Sequence, residues 1–175
     1  QSDVSGLVIE LDRGYYDDFA LDFNWNVAAS AGTGNWERDI PIGTNFNGEP
    51  SNPGNDVAND YSVECFMTGN GGGGGGTDDV DDGETILTSP SMDLTTYNDP
   101  VVKYYRWFYN AGGSGTPNDT LKIRMSNGNT SVQFEQVNVS TGNTNQWLYN
   151  EFRVQDFLPL TNNMTITFDI SDLSS

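Results

Sequence analysis

The chain has 175 residues, 35% of them hydrophobic and 12% aromatic, with 25 Asp and Glu against 7 Lys and Arg, a net charge of −18, and no histidine. That length suits one domain over residues 1–175, able to bury roughly 70% of the surface its unfolded form exposes. The charge disfavours nucleic acid and anionic membrane surfaces and favours divalent cations, while the aromatic content argues against disorder.

Period-two runs, punctuated by Asn, Gly, Asp, Ser and Pro, predict an all-β chain. Strands are expected at residues 4–11, 25–29, 61–67 and 85–88. The most strand-like segment is 101–109, because aromatic and β-branched residues suit a pleated, half-buried surface. Its alternation puts Val102, Tyr104, Arg106 and Phe108 on one face, and Val101, Lys103, Tyr105, Trp107 and Tyr109 on the other. Further on, Leu121, Ile123 and Met125 alternate with Lys122 and Arg124. Val132 with Phe134, Phe152 with Val154, and Met164, Ile166, Phe168 and Ile170 repeat the pattern.

About nine short strands of this kind predict a two-sheet antiparallel jelly-roll β-sandwich with long Gly-, Asn- and Asp-rich loops. Those loops are expected at 32–60, 69–83 and 110–119, the middle one holding six consecutive glycines at 71–76. Long loops on a rigid scaffold are where function concentrates; plain linkers are the alternative.

Without histidine the chain lacks the usual general base, the Ser-His-Asp and Cys-His nucleophile systems, and imidazole zinc ligands. A hydrolase working through two carboxylates stays open as a remote alternative. The single cysteine, Cys65, has no disulfide partner within the chain and reads as a small apolar core residue. No apolar run is long enough to span a bilayer. The first residue is Gln1 and no signal-like segment opens the chain, so the sequence is expected to be a mature chain or a piece of a larger protein.

The run Asp78-Asp79-Val80-Asp81-Asp82-Gly83-Glu84 carries five carboxylates in seven residues. Two carboxylates 4 Å apart repel by about 4 kcal/mol at an effective dielectric near 20, so a folded edge here calls for a cation. Calcium takes six to eight oxygens in flexible geometry, which acids and free carbonyls after a glycine run can supply. The spacing is not that of an EF-hand, since Val80 stands at the third position and Ser89 at the twelfth. A hydrated acidic loop with no specific ligand is the competing reading. Weaker acidic groups are Asp56 with Asp60, and Asp17 with Asp18, the latter pair also a metal candidate. Tyr105, Trp107 and Tyr109 are candidates for a sugar-stacking platform, against the alternative that the aromatics pack the core.

Several segments together resemble a family. They are Tyr16-Asp17-Asp18-Phe19 leading to Trp25-Asn26-Val27, then Gly34-Asn35-Trp36-Glu37-Arg38-Asp39-Ile40-Pro41, and Cys65-Phe66-Met67-Thr68-Gly69-Asn70. After these come Asp79 through Pro90, then Met92-Asp93-Leu94 and Tyr105-Arg106-Trp107. The set resembles the MAM-like or galactose-binding-like jelly-roll modules of large secreted bacterial proteins, often attached to peptidases. The resemblance implies an extracellular accessory domain with structural calcium on the carboxylates after the glycines, and Trp25 and Trp36 in or beside the core. It also implies a final strand after Ile170-Ser171-Asp172-Leu173, which a chain stopping at Ser175 is expected to lack or to take from elsewhere.

The expectation is therefore a secreted, non-catalytic, calcium-stabilised module that binds a glycan or a surface protein and serves in adhesion. The alternative is a subunit of an extracellular fibre or surface layer, completed by strand exchange between copies.

Overall fold

The computed structural model describes residues 14–77, 79–111 and 116–172. The strand expected at 4–11 lies outside them.

Regular structure is almost entirely antiparallel β. Strands β1 (Asn26–Ala29), β6 (Gly83–Thr88), β11 (Thr165–Asp172), β8 (Thr120–Ser126) and β9 (Ser131–Val137) form one five-stranded sheet in the order β1-β6-β11-β8-β9. Facing it are β7 (Val101–Phe108) and β10 (Thr144–Arg153), paired with each other. Two further pairs complete the strands, β2 (Trp36–Asp39) with β5 (Cys65–Thr68), and β3 (Thr44–Phe46) with β4 (Glu49–Asn52). Among the described residues no helix is long and apolar enough to cross a membrane.

The alternation read from the sequence explains how the layers meet. Leu121, Ile123 and Met125 of β8 are all buried, Ile123 completely, and Ile166 and Ile170 of β11 lie beside them. The same face of β7 that carries Val102, Tyr104 and Phe108 packs onto this surface. Trp25 and Trp36 sit against that core without being sealed in it. Trp36 is also tied to β6, its backbone N–H donating to Thr85 Oγ1 and its indole N–H to the Thr85 carbonyl. A second cluster of Leu94, Met125, Val154, Leu158 and Met164 closes one end.

Residues 32–60, expected to be a loop, contain β2, β3 and β4. Their strands are only three or four residues long and rich in Asn, Glu and Pro, so hydrophobic alternation does not mark them. The β3–β4 hairpin turns at Asn47 and Gly48, whose φ angles of 52° and 88° are those of a type I′ turn.

β9 departs from strict alternation in a way that matters. Its register against β8 jumps from Ile123↔Glu135 to Arg124↔Gln133, leaving Phe134 as an extra residue. Such a bulge re-aims the residues beside it. Glu135 is thereby turned toward β7 instead of toward solvent.

Candidate functional site

The acidic loop is held down by an apolar residue and by backbone bonds. Val80, the residue that breaks the EF-hand spacing, is 4% exposed and belongs to the main core. Gly32 N–H donates to the Asp81 carbonyl at 2.9 Å and Thr33 Oγ1 to the Asp79 carbonyl at 3.1 Å. Gly34, at φ 66°, approaches so closely that a Cβ there would lie 2.3 Å from the Asp79 carbonyl oxygen. No larger residue can pass at that point.

The carboxylates of the run do not act as one group. Asp78 lies outside the described residues. Asp82 is exposed with φ 55°, and Glu84 is exposed on β6, where its carbonyl accepts from Ser30 and Ala31 N–H. Asp79 and Asp81 instead act on Asp119, which precedes β8, together with Asp172 at the end of β11. Asp119 is pushed from 3.8 up to about 7, first by burial and then by the charges of Asp172, Asp79 and Asp81. The pairing of Ser171 with Thr120 across β11 and β8 explains why Asp119 and Asp172 meet. Neither was singled out by the sequence, because their proximity is a property of sheet register.

Beside Asp119 lies a cavity of about 60 Å³, lined by Asp79, Asp119, Asn110, Tyr109, Phe46 and Ser51 among others. Asn110 is only 7% exposed. Its backbone N–H donates to Asn143 Oδ1 at 2.7 Å, while its side-chain Nδ2 is buried and has no hydrogen-bond partner among the described residues.

The other acidic groups meet elsewhere in the molecule. Asp17 is engaged on both oxygens, Oδ1 accepting from Phe19 N–H at 2.8 Å and Oδ2 from the Trp25 indole at 2.7 Å. Asp18 accepts from Ala20 N–H. The proton affinity of Asp56 is raised by burial and by the charges of Asp60 and Asp18, against a lowering bond from Val57 N–H. Its Oδ2 is buried with no hydrogen-bond partner among the described residues. Tyr16 donates to Asp60 Oδ1 at 3.2 Å, and its hydroxyl is pushed up to about 12 by burial and by Asp60. Two acidic groups distant in sequence thus form one focus of Asp18, Asp56 and Asp60. Among the described residues, no group of three or more Cys, Asp or Glu side chains is already arranged to hold a metal ion.

The outer face of the β7–β10 pair carries the aromatic candidates. Tyr105 and Tyr149 stand directly opposite each other, 48% and 49% exposed, with ring centroids 5.3 Å apart. Sequence reading missed Tyr149, because β10 shows no clean alternation near its bulge between Thr144 and Leu148. Trp107 and Trp147 pack edge to face at 6.0 Å, and their indole N–H groups donate to the carbonyls of Ser51 and Asn55. Trp107 is therefore tied to the β3–β4 hairpin, and Tyr109 lines the cavity. Of the three expected platform residues, only Tyr105 offers a largely free ring.

The fold and these sites define an all-β antiparallel protein with an acidic end and an aromatic outer face. No protein-family model matches the chain, and no curated protein sequence matches it.

Proposed function

We propose that this chain is a non-catalytic, extracellular binding module that takes a glycan on the outer face of β7 and β10. The observation that carries the reading is the Tyr105–Tyr149 pair, two half-exposed rings opposed on a regular strand pair. Aromatic faces attract the C–H-rich faces of sugar rings through the same quadrupole that orders aromatic pairs. The neighbouring Lys103 and Glu151, 3.8 Å apart, offer polar contacts to hydroxyls, where an obligate protein interface would be more apolar. The test is binding to a panel of polysaccharides. Retention is expected for the native chain and loss for Tyr105→Ala and Tyr149→Ala; binding that survives both substitutions removes the platform.

Calcium belongs to this reading as a structural ion, and Asp56 is the better seat for it than the acidic loop. The Oδ2 of Asp56 is buried and accepts no hydrogen bond from the described residues, and the charges of Asp60 and Asp18 act on it; calcium favours such hard oxygens, and carbonyls and water would have to complete its shell. The acidic loop is already anchored by Val80. Calcium is expected to raise the melting temperature of the native chain and not of Asp56→Asn. An equal rise in both places the ion elsewhere.

Catalysis by paired carboxylates has Asp119 in its favour, since an acid with a pKa of about 7 is suited to proton transfer. Against it, the charges of Asp172, Asp79 and Asp81 all act on Asp119, which singles out no one carboxylate as its catalytic partner. Self-assembly is favoured by a different feature. β1 ends the five-stranded sheet with all four residues exposed, and among the described residues no strand pairs with its outer edge. A charge of −18 opposes association of copies. Sedimentation at rising concentration decides, since a constant monomer excludes assembly.

A further inference from the structure

We infer that the Tyr105–Tyr149 face receives the end of a single, soluble, uncharged glycan chain, with the terminal sugar on the rings and the rest of the chain leaving past Lys103 and Glu151. This rests on the reading of that face as a glycan platform and adds which part of the ligand it takes.

Alternate side chains of a strand share one face about 6.8 Å apart, so the outer surface of β7 and β10 is a row of cross-strand pairs. From Tyr105 opposite Tyr149 the row runs one way to Lys103 opposite Glu151, and the other way to Trp107 beside Trp147. Its two ends differ. The indoles of Trp107 and Trp147 donate to the carbonyls of Ser51 and Asn55 at 2.8 and 3.1 Å, and Asn145 Nδ2 donates to Glu49 Oε2 at 2.7 Å. These bonds bring the main chain of residues 51–55 to the level of the indole rings and close the row one pair beyond the tyrosines. At the opposite end the Lys103 and Arg153 side chains are 61% and 54% exposed, and the row is open. A row closed at one end admits the end of a chain, whereas a chain held by its middle needs both ends clear.

Ring orientation selects a single chain. The planes of Tyr105 and Tyr149 differ by 55° and those of Trp107 and Trp147 by 75°. Rings set at such angles cannot all lie flat on the planar surface of a crystalline polysaccharide. One hydrated chain needs only to bring one sugar face to one ring.

Charge selects an uncharged one. Lys103 is matched by Glu151, and Arg153 by Asp99 and Asp156. Glu151 also accepts from the Tyr149 hydroxyl at 2.5 Å. An anionic sugar would compete with these carboxylates for their cations, and a cationic one with the cations for their carboxylates. Hydroxyl groups can bond to both members of such a pair without separating them.

The test is isothermal titration of the native chain with maltohexaose, laminarihexaose and mannohexaose, followed by linear soluble fractions of the same linkage and increasing length. Binding of at least one hexasaccharide is expected, with one protein molecule per chain at every length. A number of bound molecules that rises with length overturns end recognition and leaves the platform. No binding to any of the three removes the platform and the inference together. Hexamers of galacturonic acid and of glucosamine are expected not to bind, and either one binding as tightly as the neutral chain overturns the uncharged class. Tyr105→Ala and Tyr149→Ala, both at exposed positions, are each expected to weaken binding about ten-fold. Binding at native strength in both variants places the ligand elsewhere and overturns the inference.

Discussion

Glu135 of β9 accepts two hydrogen bonds from Arg106 of β7, at 3.0 Å from Nε and 2.6 Å from Nη2, across the interior between the two layers. Tyr104 donates to the other carboxylate oxygen at 2.6 Å, and Arg106 Nη1 donates to the Gly142 carbonyl at 3.4 Å. Burial and Glu135 together hold the Tyr104 hydroxyl well above the usual phenol range. The side chains of Arg106 and Glu135 are 9% and 17% exposed, so this is a desolvated clasp and not a surface pair. Glu135→Ala strands a buried guanidinium and is expected to cost about 3–5 kcal/mol of stability. Urea unfolding measures it. Replacing both partners together, Arg106→Met with Glu135→Leu, is expected to recover most of the loss; failure to recover makes the clasp more than a paired charge.

Asp17 serves as a clamp on Trp25. Both of its oxygens are engaged, one by the indole and one by Phe19 N–H. Asp17→Asn puts an amide donor where an acceptor is needed and is expected to cost about 1–3 kcal/mol, with no change in the response to calcium. Thermal melts with and without calcium test both halves. A variant of native stability that has lost its calcium response makes Asp17 a ligand.

Asp119 makes stability depend on pH in a direction opposite to that of an ion-paired carboxylate. Its folded value, about 7, lies above the ordinary 3.8, so the folded chain holds this proton more tightly than the unfolded one. The contribution is fully present below about pH 4 and is lost as the pH rises through about 7. Asp119→Asn removes the titration. The melting temperature of the variant relative to the native chain is expected to rise across that interval, and a constant difference overturns the assignment.

Cys65 is expected to be inert. It is 4% exposed, and burial followed by the charge of Asp56 pushes its thiol up to about 12. The thiolate is the reactive species. Alkylation by iodoacetamide is expected only on unfolding, so labelling of the native chain at the rate of a free thiol contradicts this burial.

Most of the architecture was legible from residue order. Buried and exposed positions alternate along β7 and β8 as their sequences imply, because the two-residue repeat of a strand leaves one face for the core. The β3–β4 hairpin was legible too, in the Asn47-Gly48 dipeptide, but only to a reading that weighs turn chemistry above hydrophobic alternation. The bulge at Phe134 left no such mark. Alternation from Val132 and Phe134 sends Glu135 outward, and the inserted residue turns it inward to Arg106.

By itself the sequence determined an antiparallel all-β chain, a strongly acidic surface, the lack of imidazole chemistry and the alternating faces that build the core. These follow from residue type and local spacing, which act within a few residues along the chain. Tertiary structure alone decided which acids act together: Asp119 with Asp172, Asp79 and Asp81, and Asp56 with Asp60 and Asp18. It also decided that Tyr149 is the ring opposite Tyr105 and that Val80 anchors the acidic loop. Strand register and layer packing bring together residues tens of positions apart, and a charge or a ring gains its chemistry from the neighbours that register supplies.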